Sequence, residues 1–161
     1  MNIRLLDKKD WPSFKALRLE ALHMHPEAFG SSYEEEAILS GDAFEKNFNK
    51  SNIFGAFQEK QLVGCAGFFI HNPSKMAHRG VVFSMYTKPE YRSLGIGDAL
   101  LKAVIAHAKK VVIQLHLTVV TTNQSALRLY EKNGFRIYGT EPRSLKIGDQ
   151  FYDEHMMVLE C

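Results

Sequence analysis

A chain of 161 residues, 45% hydrophobic and 24% charged, carries enough apolar material for one globular domain, 1–161, with a full core. A formal net charge of +2 draws it to neither nucleic acid nor a membrane surface, so any anion recognition has to be local. No bilayer-length apolar run occurs, Asn2, Arg4, Asp7, Lys8 and Lys9 interrupt the start, and Cys65 and Cys161 form no short spacing motif, which together point to a reducing cytoplasm.

In chain order, Ile3 to Leu6 reads as a first strand. Asp10 stands where it would cap a helix with Pro12 in its first turn, with Phe14, Leu17 and Ala21 on the inner face and Pro26 beyond the end. His23 and His25 are two apart and share no helix face, so surface histidines explain them better than a metal pair. Phe29 and Tyr33 then precede Glu34-Glu35-Glu36 on a short helix, followed by a second helical piece from Ala43 to Phe48. The acidic run is either a solvated helix face or a place where Glu34 or Glu36, beside Phe29 and Tyr33, draws in a cationic amine. Ile53 to Gln58 and Leu62 to Ile70 form a hairpin across Glu59-Lys60-Gln61.

The most informative stretch follows. A strand from Val81 to Thr87 runs through Lys88-Pro89-Glu90-Tyr91 into Arg92-Ser93-Leu94-Gly95-Ile96-Gly97-Asp98, which opens a helix lasting to about Lys109. Leu100, Leu101, Val104, Ile105 and Ala108 lie on one 3.6-period stripe of that helix. Gly95 and Gly97 allow positive φ or close approach to the backbone, and amides from Leu94 to Asp98 at a helix N-terminus make an anion site. A dinucleotide fingerprint would need a third glycine where Leu100 stands, and a Walker loop would end Gly-Lys-Ser/Thr rather than Gly-Asp-Ala. Two glycines shaping a tight turn and nothing more is the plainer alternative.

Val111 to Val120 is a long apolar, β-branched run and hence an interior strand. Asn123 to Asn133 is a helix closed by Gly134, and Phe135 to Gly139 and Phe151 to Leu159 are the last strands, with Gly148-Asp149 turning between shorter pieces. Ala126, Leu129 and Tyr130 share one helix face. A lone tyrosine there is more often a core aromatic with a satisfied hydroxyl.

Two blocks change that weighting. Arg-x-x-Gly-x-Gly after a strand and a Pro-Glu-Tyr turn resembles the acyl-CoA pyrophosphate loop of the GNAT N-acyltransferases. A strand leading into Asn-x-x-Ala-x-x-Leu-Tyr-x-x-x-Gly-Phe, Asn123 to Phe135, resembles that family's second block, at the right distance from the first. Gly139 to Arg143, Tyr152-Asp153-Glu154 and Met157 resemble a bacterial subgroup whose substrates are often unassigned. The resemblance implies an α/β fold: a mixed, mostly antiparallel sheet of about 6–7 strands with about four helices, whose strands 4 and 5 splay around the pantetheine arm of acetyl-CoA. It further implies a bulge near the end of the fourth strand. Main-chain groups of Met85 and Thr87, with Tyr86 between them, meet the arm, and amides of Arg92, Ser93, Leu94, Gly95, Ile96, Gly97 and Asp98 cradle the pyrophosphate. Asn123 and Ala126 border the arm, and Tyr130 sits near the sulfur.

Three departures from the family pattern stand out. Ser93 and Leu94 replace the usual glycine and basic residue, Asp98 places a negative charge beside the anion site, and Val81 and Thr118 stand where some relatives carry a glutamate base. An amine with pKa about 10.4 costs roughly 4.6 kcal/mol to present neutral at pH 7. A phenol near 10 is only about 2 kcal/mol mismatched as proton donor to a thiolate near 8.5. These values suit direct transfer of acetyl to a primary amine, with Tyr130 as general acid and no nucleophilic residue. The acceptor is a small-molecule amine or a protein N-terminus or lysine, with Phe29, Tyr33, Glu34, Glu36 and Asp153 as the candidate contacts; no metal is called for, and a homodimer is left open. The alternative is a non-catalytic acyl-CoA-binding sensor that keeps the fold without turnover.

Overall fold

Strand and helix residues sort by the face they bury. The computed structural model describes residues 1–161. Its strands are β1 (Asn2–Leu5), β2 (Asn52–Gln58), β3 (Gln61–Ile70), β4 (Arg79–Thr87), β5 (Gln114–Val120), β6 (Arg136–Ile147) and β7 (Gln150–Glu160). Its helices are α1 (Trp11–Met24), α2 (Tyr33–Ala37), α3 (Gly41–Phe48), α4 (Ile96–Ala108) and α5 (Gln124–Lys132). The strands form one seven-stranded sheet in the order β1-β2-β3-β4-β5-β7-β6. Every pairing is antiparallel except β4 with β5. No helix is long and apolar enough to cross a membrane.

The apolar stripe of α4 lies against one face of the sheet, where Leu100, Leu101 and Val104 meet Val63, Phe68, Val82, Leu115 and Met157. Tyr130 of α5 closes the same cluster. On the opposite face Phe14, Leu17 and Ala21 of α1, with Phe44 and Phe48 of α3, cover Ile53, Leu62, Cys65 and Tyr86. Leu100, Leu101 and Leu115 are completely buried, and each such side chain contributes about 1.5–3 kcal/mol.

The feature that positions the site is a bulge in β4. Gly67 pairs with Phe83, but Cys65 pairs with Tyr86, so β4 carries one extra residue there. Ser84 takes it up at φ 56°, in the left-handed region, although it is not a glycine. The extra residue reverses the alternation of the strand. Val82 and Met85 belong with the α4 side, while Phe83 and Tyr86 face α1. A bulge also increases local twist, and β4 pairs with β5 only from Arg79 to Val81, opposite Gln114 to His116. Past Val81 the two strands part.

Arg18 of α1 holds the bulge in place. Its Nη1 donates to Ser84 Oγ at 2.9 Å, while Nε and Nη2 donate to the two carboxylate oxygens of Glu36 at 3.1 and 2.9 Å. The guanidinium also lies 5.1 Å from the centre of the Phe29 ring. One half-buried cation thus ties α1, α2 and β4 together.

Several sequence expectations need correcting. Asp10 does not cap α1: its carboxylate accepts from the Asp7 amide at 2.7 Å and from both Arg4 Nη atoms, and a 3-10 turn at Lys8–Asp10 precedes the helix. An ion pair with Arg4 is a stronger attraction than an amide at a helix end. The strand expected from Val111 starts only at Gln114, because Val111 and Val112 are still bonded to Ala108 at the end of α4. The chain from Arg136 to Ile147 forms one long, bulged strand rather than short pieces, since β7 pairs with it along its length.

The Arg18–Ser84 contact makes a stability prediction. Ser84→Val places a β-branched residue at positive φ and removes an acceptor from a half-buried guanidinium, which should cost at least about 2 kcal/mol. Urea unfolding should show a lower midpoint at unchanged slope; an unchanged midpoint would mean that the bulge does not depend on this residue.

Candidate active site

A cleft of about 830 Å³ occupies the gap between β4 and β5, within the size range of small-molecule sites. Its mouth is the loop between β4 and α4. Ser93 at φ 64° and Gly95 at φ 78° alternate with ordinary backbone, and successive amides in such a path converge outward. None of the amides from Ser93 to Asp98 has an acceptor within the chain. They lie at the positive end of the α4 dipole, so an anion is the partner that satisfies them. A Cβ added at Gly95 would meet nothing within 4 Å, and one at Gly97 would meet only Leu129 Cδ2 at 3.5 Å.

Arg92 behaves differently from the sequence expectation. Its amide donates to Pro89 O at 3.2 Å, so it is not part of the open row. Its Nε donates to Thr87 O at 3.0 Å, which also occupies a carbonyl expected to be free for a ligand. Nη2 lies 3.0 Å from His25 Nε2. That contact requires a neutral imidazole with its proton on Nδ1, because the guanidinium can only donate. His25, which the sequence presents as a surface histidine, therefore belongs to the mouth of the cleft. Leu94 is 65% exposed and points away from it, while Ile96 is buried in the core.

Asp98 is neutralised rather than left beside the anion site. Lys102 Nζ lies 2.7 Å away, Asn133 Nδ2 donates at 2.9 Å and Lys132 stands at 3.6 Å. Hydrogen bonds from Lys102 and then Asn133 hold its carboxyl down at about 2. Because Asn133 also donates to Leu129 O, this cluster stitches the start of α4 to the end of α5.

Deeper in the cleft, Met85 lines the side of β4 that β5 has left. The Tyr86 phenol turns to α1, where it donates to Glu20 Oε1 at 3.3 Å; burial, then the Glu20 charge, push it up to about 12. Asn123 caps α5, its Oδ1 accepting from the Ala126 amide at 3.2 Å, and only its Nδ2 remains free. Tyr130 is 7% exposed, packs edge-on against Phe135 and has no hydrogen-bond partner for its hydroxyl, although it lines the cleft. Burial raises its pKa above the ordinary phenol value.

The five side chains expected to meet a second ligand do not gather. Phe29 lines the cleft, but Glu36 is committed to Arg18, Tyr33 packs against His23 with ring centres 5.3 Å apart, and Glu34 is exposed. Asp153 lies outside the cleft: its Oδ1 accepts from the Arg143 amide at 2.7 Å and steadies the bulge in β6. Its neighbour Glu154 is in the cleft instead. Met157 packs into the α4-side core, so strand alternation turns Asp153 to that side and Glu154 to the α1 side, where Phe29 and Arg18 lie. The run Met156-Met157-Val158 shows no alternation, which hides the parity from sequence reasoning.

A sequence profile described as the Acetyltransferase (GNAT) family matches residues 14–135. The mycothiol acetyltransferase of Acidimicrobium ferrooxidans is 30% identical over 116 residues, 71% of this chain and 36% of that protein. This chain therefore spans about a third of that relative's length. The spermidine N(1)-acetyltransferase of Thermoplasma acidophilum is 30% identical over 111 residues, covering 68% of this chain and 65% of that one. Among solved structures, an acetyltransferase of the GNAT family from Streptococcus pneumoniae superposes with a TM-score of 0.88 at 25% identity, over 99% of both chains.

The Asp98 cluster has a pH signature. A carboxyl held down at about 2 adds stability that is fully present above the unfolded carboxyl range near pH 4 and disappears as pH falls through about 2. Asp98→Asn should melt below wild type at pH 6, and the gap should close between pH 4 and 2. Thermal unfolding across that range measures it, and a constant gap would remove the charged cluster as its cause.

Proposed function

This chain belongs to the acetyltransferase (GNAT) family, and on that premise we propose that residues 1–161 form one domain that moves acetyl from acetyl-CoA to a primary amine by direct attack. The observation that carries the reading is the row of unpaired amides from Ser93 to Asp98 at the head of α4. It opens onto a gap that also contains the unpartnered hydroxyl of Tyr130. The residues present fit the cofactor: Gly95 leaves open space above the amide row, and the vacated side of β4 at Met85 offers main-chain groups to an extended arm.

Acetyl-CoA, when bound, supplies the electrophilic thioester carbon and the thiol that leaves. The amides of Ser93 to Asp98 receive its pyrophosphate, Asn123 offers Nδ2 to the arm, and the sides of the cleft limit access of water. Tyr130 holds a proton on its hydroxyl at neutral pH, because burial raises its pKa; it gives that proton to the departing thiolate, and the proton lost by the attacking amine returns to it through solvent in the cleft. A raised pKa makes a phenol a weaker acid, but the same dry surroundings make a neighbouring thiolate a stronger base, so the two stay matched.

The acceptor is a small-molecule amine or a protein N-terminus or lysine. The relative named for spermidine supports a small-molecule amine. The two cysteines are free, Cys65 buried and Cys161 exposed, which fits a cytoplasmic setting.

Two variants test this reading. Gly97→Val meets only an ordinary contact at Leu129, so the fold should hold while its branches cover the amide row. Acetyl-CoA binding measured by calorimetry should weaken at least tenfold, about 1.4 kcal/mol; unchanged affinity would remove the anion-loop reading. Tyr130→Phe removes the proton donor and keeps the ring. Its single-turnover rate should fall by about 100- to 10,000-fold, with cofactor affinity and melting temperature little changed because the hydroxyl bonds to nothing in the protein. A wild-type rate across the pH range would make Tyr130 a packing residue.

A further inference from the structure

The cleft has a row of unpaired amides at its mouth and, on β7, a carboxylate with no cationic partner. At the mouth stand the amide row and Arg92. Of the carboxylates lining the cleft, Asp98 is paired with Lys102 and Lys132, and Glu27 stands beside the neutral His25 at the mouth, 4.0 Å from its Nδ1. The one guanidinium near the far end, Arg18, is committed to Glu36. Glu154 has no cationic partner within 4.0 Å.

The surroundings of Glu154 sharpen the point. It sits on β7 opposite Val120 of β5 and, on its other side, directly opposite Glu141 of β6. Like charges facing each other across a ladder are unfavourable. Ser144 Oγ lies 2.5 Å from Glu154 Oε1 and 3.2 Å from Glu141 Oε2. A hydroxyl has one proton to give and no charge, so it serves one carboxylate well and neutralises neither. Ser144 is fixed there by the β6 bulge, where Arg143 takes φ 52° and its amide is held by Asp153. The chain thus builds a support that orients Glu154 and provides no cation for it.

We propose that Glu154 receives the ammonium group of the acceptor, and that the acceptor is an amine arriving as a cation. This deepens the acetyltransferase reading and rests on it. A compact ammonium has three donors and no acceptor, which matches a carboxylate already held in place by a serine hydroxyl. Glu154 lies on the α1 side of the sheet, with Phe29 and Arg18, so an apolar stem can lie along the Phe29 ring while its charged head meets the carboxylate. Neutral nucleophiles find no matching charge there.

The test has three arms. With glutamate carboxyl carbons labelled, n-butylammonium chloride should shift the Glu154 resonance, identified by its loss in Glu154→Gln, in a saturable manner. n-Butanol and matched potassium chloride should not. Binding of n-butylammonium should weaken at least tenfold in Glu154→Gln and stay unchanged in Glu34→Gln, whose carboxylate is exposed and outside the cleft. In turnover, Glu154→Gln should raise KM at least tenfold for amines that are cations at pH 7 and leave kcat/KM for hydroxylamine, which is neutral there, unaltered. Absence of the butylammonium shift, or an equal loss for charged and neutral nucleophiles, overturns the inference. Acetyl-CoA calorimetry on the same protein separates the two ideas. Acetyl-CoA binding without the shift overturns the ammonium site alone. The shift without acetyl-CoA binding overturns the acetyltransferase reading and leaves a cation site standing.

Discussion

Past Val81, β4 and β5 give up their shared hydrogen bonds in the middle of a sheet. Buried backbone groups without partners are costly, so a gap of this kind persists only if something else holds the strands apart and something polar fills it. The first requirement is met by the bulge at Ser84, clamped through Arg18 to Glu36 on α2. The second suits the extended, amide-bearing ligand proposed above, which can pair with the vacated side of β4 as a strand would. Arg18 is thus more than a surface contact: it transmits the placement of α1 and α2 into the backbone that lines the cleft.

Charge is distributed unevenly along the gap. Unpaired amides and the α4 dipole gather at one end, where Asp98 would be a liability were it not matched by Lys102 and Lys132. At the other end Arg18 is neutralised by Glu36, and the remaining charge is that of Glu154. A net charge of +2 over the chain conceals this arrangement, because fields within a cleft depend on which pairs are closed and not on the sum.

Tyr130 occupies an unusual position between core and site. Its ring completes the α4-side cluster against Phe135, yet its hydroxyl bonds to nothing in the protein. Buried tyrosine hydroxyls normally find a partner. One left free at the wall of a cleft is available to a ligand, and its burial keeps it protonated. The proposed proton donation and the packing do not conflict, because the two demands fall on different atoms.

Periodicity alone identified the α4 stripe from Leu100 to Ala108, the β2–β3 hairpin and the helix after Asn123, since those elements bury one face and the pattern is local. The glycine loop and the Asn123–Phe135 block stood out through their resemblance to the GNAT pattern, which is written in consecutive residues. What the residues could not reveal are the outcomes of competition between distant partners. Asp10 goes to Arg4 instead of capping α1, Arg92 turns its guanidinium onto Thr87 O and His25, and Glu36 is taken by Arg18. The shift from Asp153 to Glu154 is the plainest instance. Both carboxylates are adjacent in sequence, and only the pairing of β7 with β5, with Met157 packed into the core, decides which of them faces the cleft. Local chemistry is determined by the order of residues, whereas the free or occupied state of each charge depends on which long-range partner reaches it first, and that is set by the tertiary fold.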